Sequence, residues 1–335
     1  MVNEIADGQD LVTEPLEELY GPIADELEQV EEILRREMCS SYPYVNELIR
    51  YGALLRGKRL RPALLLLAAK CVGEPTERHL NLAAVMEMIH SATLVHDDVL
   101  DDASVRRHVA TVNARWDNEA SLLLGDLLFS RAFCLAAGTA SMVACQLIAR
   151  SAQIICEGEI RQKGRRGDFS LTEAEYLEIL DAKTAELYAC SCQLGAHFLE
   201  ARAADVERLT QYGRYLGIAF QISDDLLDIA GNEAETGKSL GTDLAQQKPT
   251  LPVIRALELA HGDQRDYLLS LLRGQPPGQT EPLRRFLARC GALTYARNKG
   301  REFAERAIEQ VATLPPSPAQ QSLRKLGQFV VARSH

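Results

Sequence analysis

The 335-residue sequence predicts an all-α protein built as one large helical bundle. Three observations carry that expectation. Apolar residues recur at helical spacing almost throughout, β-branched alternation bounded by turn residues is hard to find, and the Pro- and Gly-rich stretches are too short to act as linkers between separate domains. A composition of 46% hydrophobic and 25% charged residues belongs to globular chains and excludes disordered, collagenous and disulfide-scaffold classes.

The elements follow in order. Residues 1–13 are acidic and expected to be a flexible N-terminus, with no apolar stretch of the kind a signal peptide needs. Residues 14–38 read as an amphipathic helix broken near Gly21 and Pro22, followed by helices at 44–55, 62–72 and 77–101. Further helices are expected at 118–138, 141–163, 172–199, 204–229, 250–260, 295–312 and 317–333, with none between 261 and 294. "SLTE" offers two overlapping capping boxes before 172–199, Ser170 with Glu173 and Thr172 with Glu175. Residues 132–149 carry no charge, but Gly138, Thr139, Ser141 and Gln146 interrupt them, so a buried helix is expected rather than a transmembrane segment.

A net charge of −10 argues against nucleic acid as a partner. The eight cysteines form no CxxC pair and read as reduced core residues of a cytoplasmic protein.

The chemistry gathers in one internal echo. "LVHDDVLDD" returns as "QISDDLLDIAG", with Asp97 and Asp224 lying 127 residues apart. On a helix, Asp97, Asp98 and Asp101 should converge, as should Asp224, Asp225 and Asp228. Carboxylates about 5 Å apart repel by a little under 1 kcal/mol per pair in water and by more in a dry cleft, so a cation should sit among them. Oxygen-only ligation favours a hard ion such as Mg²⁺, which bridges carboxylates to phosphates. Two such triads facing each other could clamp a polyphosphate as it leaves. A rival metal reading uses Glu87-x-x-His90 and Glu258-x-x-His261, the spacing of di-iron bundles, but it leaves six aspartates without a role.

Cations complete the pattern. "RGKRLRP" places Lys58 and Arg61 at helical spacing, Arg106 and Arg107 follow the first triad, Lys183 and Thr184 sit mid-helix, and Lys238 and Lys248 flank "SLGTDLAQQ". Together they suggest two anion sites, one bridged by metal and one held directly by Lys and Arg.

"GKRLRP", "HSATLVHDDVLDD", "LLLGDLLFSRAF", "DAKTAELYACSCQLGA", "GIAFQISDDLLDIAG" and "GKSLGTDLAQQKPTLPVI" occur in an order that resembles the trans-isoprenyl diphosphate synthases. The resemblance covers nearly all of the chain. It implies a single polyprenyl synthase domain of the isoprenoid synthase type around a central substrate cavity, working as a homodimer. It also implies a Mg²⁺-dependent prenyltransferase that condenses isopentenyl diphosphate with an allylic prenyl diphosphate by ionisation, condensation and proton loss. Asp97, Asp101 and Asp224 would bind the metal, with Asp98, Asp225, Asp228 and Lys183 in the catalytic set. Lys58, Arg61, His90 and Arg107 would hold isopentenyl diphosphate, and Arg106, Lys183, Thr184, Gln221 and Lys238 the allylic diphosphate. The chain departs from the family in "RRHVATVN", where His108 and Ala110 replace the usual Gly and Pro.

Positions N-terminal to Asp97 should line the product pocket, with Ala92 and Thr93 as the first rung and Ile89, Met88 and Val85 deeper. In the family it resembles, bulky aromatics at those positions stop chains early and short-chain bacterial enzymes often carry an insertion in the first motif, so the small residues here, with no insertion between Asp97 and Asp101, imply heptaprenyl to decaprenyl products with octaprenyl central. A short-chain farnesyl or geranylgeranyl synthase and a subunit of a two-component synthase are the alternatives. The partners expected are the two diphosphates and a second copy of the chain, with no nucleic acid and only transient membrane contact for product release.

Overall fold

The computed structural model describes residues 16–54, 57–106, 109–230, 241–274 and 280–332. The expected flexible segment 1–13, Arg107, His108 and Lys238 lie outside them. After a helical turn at Leu16–Leu19 and a 3₁₀ turn at Gly21–Ile23, helix α1 spans Ala24–Glu37. Its acidic first turn and basic last turn complement the helix dipole. Helices α2 (Pro43–Leu54), α3 (Leu60–Val72) and α4 (Glu77–Leu100) follow. Strands β1 (Val105–Arg106) and β2 (Val109–Ala110) pair antiparallel, pairing Val105 with Ala110. The polypeptide then turns through Val112–Arg115 into α5 (Asn118–Gly138) and α6 (Met142–Gly164).

Asp117 and Ser141 cap α5 and α6 by accepting from the amides of Ala120 and Ala144. Helix α7 (Glu173–Leu180) starts at the Thr172–Glu175 capping box, while Ser170 turns instead to Asp168. The expected helix 172–199 is not uniform. A π-helical turn at Asp181–Ala185 separates α7 from α8 (Glu186–His197), because an extra residue is accommodated in the ladder there. Helices α9 (Ala203–Ala230), α10 (Leu251–Leu259), α11 (Asp263–Leu272), α12 (Thr280–Arg289), α13 (Ala292–Ala312) and α14 (Pro318–Ala332) complete the bundle. Helices α11 and α12 are additions to the sequence expectation; each buries only a few leucines and is otherwise polar.

Helix α3, buried on nearly every side, and helix α8 form the centre, with α9 packed between α8 and α13. A smaller apolar cluster joins Leu48 and Ile49 of α2, Ala92 and Val95 of α4, and Leu124 and Leu128 of α5. The charge-free stretch 132–149 is split by a turn at Thr139–Ser141. Helix α5 is nonetheless long and apolar enough to cross a membrane by length and composition, and only 39% of its apolar window is buried. Leu122, Leu123 and Phe133 of α5 are exposed, as is Met142 at the start of α6. All eight cysteines are free; Cys71, Cys190 and Cys192 are core residues as expected, whereas Cys39, Cys134 and Cys156 are exposed.

Candidate active site

A cavity of about 1450 Å³ opens between α3, α4, α6, the π turn, α9 and the end of α14. Helix α4 forms one wall with His90, Thr93, Leu94, Asp97 and Asp101. This is the spacing of a single helical face. At ~100° per residue, Ala92 lies more than a third of a turn away from Asp97. It packs fully buried against α2 and α5, and Ile89, Met88 and Val85 belong to the main core. Of the expected pocket residues, Thr93 is on the wall and Ala92 and Ile89 are not.

Asp97 faces the cavity, and its carboxylate makes no hydrogen bond or ion pair among the described residues. Burial pushes its carboxyl up to about 6, opposed by Lys183 and reinforced by Glu159 and Asp101. Asp98 corrects the expected convergence. One position round the helix from Asp97, it is 1% exposed and off the cavity wall, and it accepts a 2.7 Å bond from Arg106 Nε. Arg106 itself lines the cavity, so Asp98 anchors a cation instead of joining the metal-facing pair.

Asp101, at the end of α4, is already engaged. Lys248 Nζ donates to both its oxygens at 3.1 and 3.2 Å, Arg166 Nη2 to Oδ1 at 2.9 Å, and Gln246 Nε2 to its backbone carbonyl at 2.9 Å.

Helix α9 brings Gln221, Asp224, Asp225 and Asp228 to the opposite wall. Asp225 is buried and accepts from Tyr176 Oη at 2.6 Å and Gln221 Nε2 at 2.8 Å, while Gln221 Oε1 accepts from Thr184 Oγ1 at 2.9 Å. Burial and the nearby Asp243 raise the Asp225 carboxyl, and the two donors pull it back down. Asp228 accepts the amides of Thr242 and Asp243 at 3.2 and 3.0 Å, fixing the turn that precedes Lys248. Thr184 and Gln221, expected at a diphosphate, are on the wall and form a relay supporting Asp225.

Lys183 reaches the cavity from the π turn. Glu159 and Gln162, one turn apart on α6, hold its Nζ at 2.5 and 2.9 Å. A Cβ at Gly158 would come within 2.8 Å of the Lys183 amide, so a glycine is needed for α6 to approach the π turn this closely. Glu159, Gln162, Tyr176, Asp243 and Arg166 are site residues that the sequence reading missed. Glu159 and Gln162 have an i, i+3 spacing, but nothing in the sequence aims that face at Lys183.

The other end of the cavity is cationic. Lys58, Arg61 and His90 line it, with Lys58 Nζ 5.5 Å from the Phe329 ring centre and the Arg61 guanidinium 4.7 Å from that of Tyr188. Arg61 Nε is buried with no hydrogen-bond partner among the described residues. Arg59, in left-handed backbone, ties the loop to Glu31 and Glu87, and Tyr20 Oη donates to the Lys58 carbonyl at 2.9 Å. Glu87 is thus committed to Arg59, and Glu258 pairs with Arg255 on the surface. Those pairings remove the Glu-x-x-His reading.

The donors fit a hard divalent cation. They are all carboxylates, and the half-buried Asp97 faces the cavity with no ion-pair partner among the described residues. Among the described residues no three His, Cys, Asp or Glu side chains form a ready-made metal cluster. The carboxylates stand on opposite walls, an arrangement suited to ions that complete their shells with water and ligand phosphate.

Residues 42–289 match the family model described as polyprenyl synthetase. The chain is 34% identical over 319 residues to octaprenyl diphosphate synthase of Escherichia coli (strain K12), covering 95% of this chain and 99% of that protein. A crystal structure of a decaprenyl diphosphate synthase from Rhodobacter capsulatus superposes with a TM-score of 0.90 at 37% identity, covering 96% of this chain and all of the other. A polyprenyl synthase from Caulobacter crescentus CB15, crystallised with calcium and isoprenyl diphosphate, gives 0.92 at 33% identity, with 96% and 99% covered. With a family match over most of its length and full-length relatives sharing a third of its residues, this all-α chain belongs to the polyprenyl synthetase family and is a prenyltransferase.

Proposed function

We propose that the protein is a Mg²⁺-dependent polyprenyl diphosphate synthase that extends an allylic diphosphate with isopentenyl diphosphate to medium and long chains, octaprenyl foremost. One observation carries this reading: a single cavity has two opposed aspartate walls at one end and a separate cationic end without aspartates. That asymmetry suits two diphosphates with different fates, one leaving and one retained.

Asp97, Asp101, Asp224 and Asp228 would hold the metal. Bound Mg²⁺ would supply the positive charge that stabilises a departing diphosphate. Lys183 and Arg106, both on the cavity wall, would orient that diphosphate. Lys58, Arg61 and His90 would grip isopentenyl diphosphate at the far end. The apolar lining of Phe129, Leu187, Leu216 and Phe220 excludes water, which would otherwise quench a carbocation. The growing chain would run past Thr93 toward Phe129 and Ile155.

Octaprenyl length is supported by the full-length octaprenyl synthase relative, and a divalent cation by the calcium bound in the Caulobacter protein. The exposed apolar residues of α5 support a homodimer. The free cysteines support a cytoplasmic location.

Incubation with isopentenyl and farnesyl diphosphates plus Mg²⁺, followed by mass analysis of the dephosphorylated products, should yield chiefly octaprenol. No elongation would remove the reading. Thr93→Phe should shorten the products, and an unchanged length distribution would refute the proposed path.

A further inference from the structure

The loop between α6 and α7, "KGRRGDFS", has no role in the reaction described above, yet it reaches the first aspartate stretch. Arg166 Nη2 bonds Asp101 Oδ1 at 2.9 Å, its Nε is buried with no hydrogen-bond partner among the described residues, and its side chain is 25% exposed. The loop is fixed on both sides of that bond. Arg165 is pinned to Asp168 and Glu175, and the Gly167 amide donates to the Gln247 carbonyl at 2.8 Å. Gly167 has a φ of +74°, and a Cβ there would meet Gln247 Oε1 at 3.0 Å. At that φ a side chain would strain the backbone.

The two cations on Asp101 differ in where they stand. Lys248 lines the cavity, where an incoming phosphate would meet its ammonium, whereas Arg166 is not among the cavity-lining residues. A phosphate in the cavity would therefore compete for Lys248 before it competes for Arg166. A fixed positive charge at that carboxylate repels a divalent ion and satisfies one of the oxygens that would hold it.

We infer that Arg166 is a built-in competitor for the cation at Asp101, which makes metal binding there depend on the diphosphate that arrives with it. This rests on the metal reading of the aspartate walls. Without diphosphate, Asp101 is neutralised from within the protein; with it, the added negative charge and the departure of Lys248 tip the balance toward the ion. The metal site thus fills only when substrate is present.

Calorimetric titration of the full chain with Mg²⁺ alone, and with Mg²⁺ plus inorganic pyrophosphate, tests this. Wild type should bind Mg²⁺ weakly alone and far more tightly with pyrophosphate. Arg166→Gln and Arg166→Ala should bind Mg²⁺ alone roughly tenfold more tightly, within the usual range for coupled sites, with a smaller gain from pyrophosphate. Arg166→Lys, which keeps the charge, should stay near wild type. Unchanged or weaker Mg²⁺ affinity in either neutral variant, with helical circular dichroism intact, overturns the inference. If wild type binds no Mg²⁺ under either condition, the metal reading itself falls and this one with it.

Discussion

The two aspartate stretches share a spacing and diverge in how their charge is balanced. Each puts its first aspartate on the cavity wall and buries its second. In the first stretch the buried Asp98 meets Arg106, and Asp101 meets Lys248 and Arg166. In the second, Asp225 takes neutral donors, Tyr176 and Gln221, and Asp228 takes backbone amides. Among the described residues, the first stretch is paired with cations, whereas the hydrogen bonds to Asp225 and Asp228 come from neutral donors. A repeat in sequence therefore does not imply a repeat in electrostatics.

The largest effect should come where the two walls are equivalent. Asp97→Ala and Asp224→Ala should each lower turnover by roughly 10³-fold, the scale of losing one preorganised charge-stabilising group. Steady-state kinetics at saturating Mg²⁺ would check it, and a loss confined to one of the pair would break the symmetry of the two walls.

The buried second aspartates should differ in stability. Asp98→Asn leaves Arg106 without its carboxylate and should cost about 3 kcal/mol, as expected when one member of a buried ion pair is removed. Asp225→Asn keeps hydrogen-bonding atoms facing Tyr176 and Gln221 and should cost about 1 kcal/mol. Urea denaturation of both variants measures the difference. Equal losses would mean that charge balance does not distinguish the stretches.

The smallest effect concerns pH. Burial holds the Asp97 carboxyl at about 6 against an ordinary 3.8, so the metal-free folded protein keeps a proton that the unfolded chain has lost. Its stability should therefore fall as pH rises from about 4 to about 6. Thermal unfolding in a chelator should show that slope in wild type and a shallower one in Asp97→Asn. An identical slope in the variant would place the titration elsewhere.

Much of this was legible in the sequence. Helical periodicity located the long helices that build the cavity, and the cation and aspartate motifs named Lys58, Arg61, His90, Asp97 and Asp224, all of which reach one cavity. Two kinds of information were missing. The rotation of α4 about its own axis, set by packing against α2 and α5, decides that Thr93 faces the cavity while Ala92 and Asp98 turn away. Partners contributed by distant elements, such as Glu159 for Lys183, Tyr176 for Asp225 and Arg166 for Asp101, have no local spacing to betray them.

The π turn at Asp181–Ala185 gives the gene a point of fragility out of proportion to its length. Losing one codon there would let the ladder close as ordinary α-helix, and the ~100° twist of a single residue would swing Lys183 away from Glu159 and the cavity. The hydrophobic pattern on either side would survive, so the product would still fold as a bundle. Such a deletion would yield a well-formed protein with an inert centre, a lesion visible in product analysis and silent in a measurement of helix content.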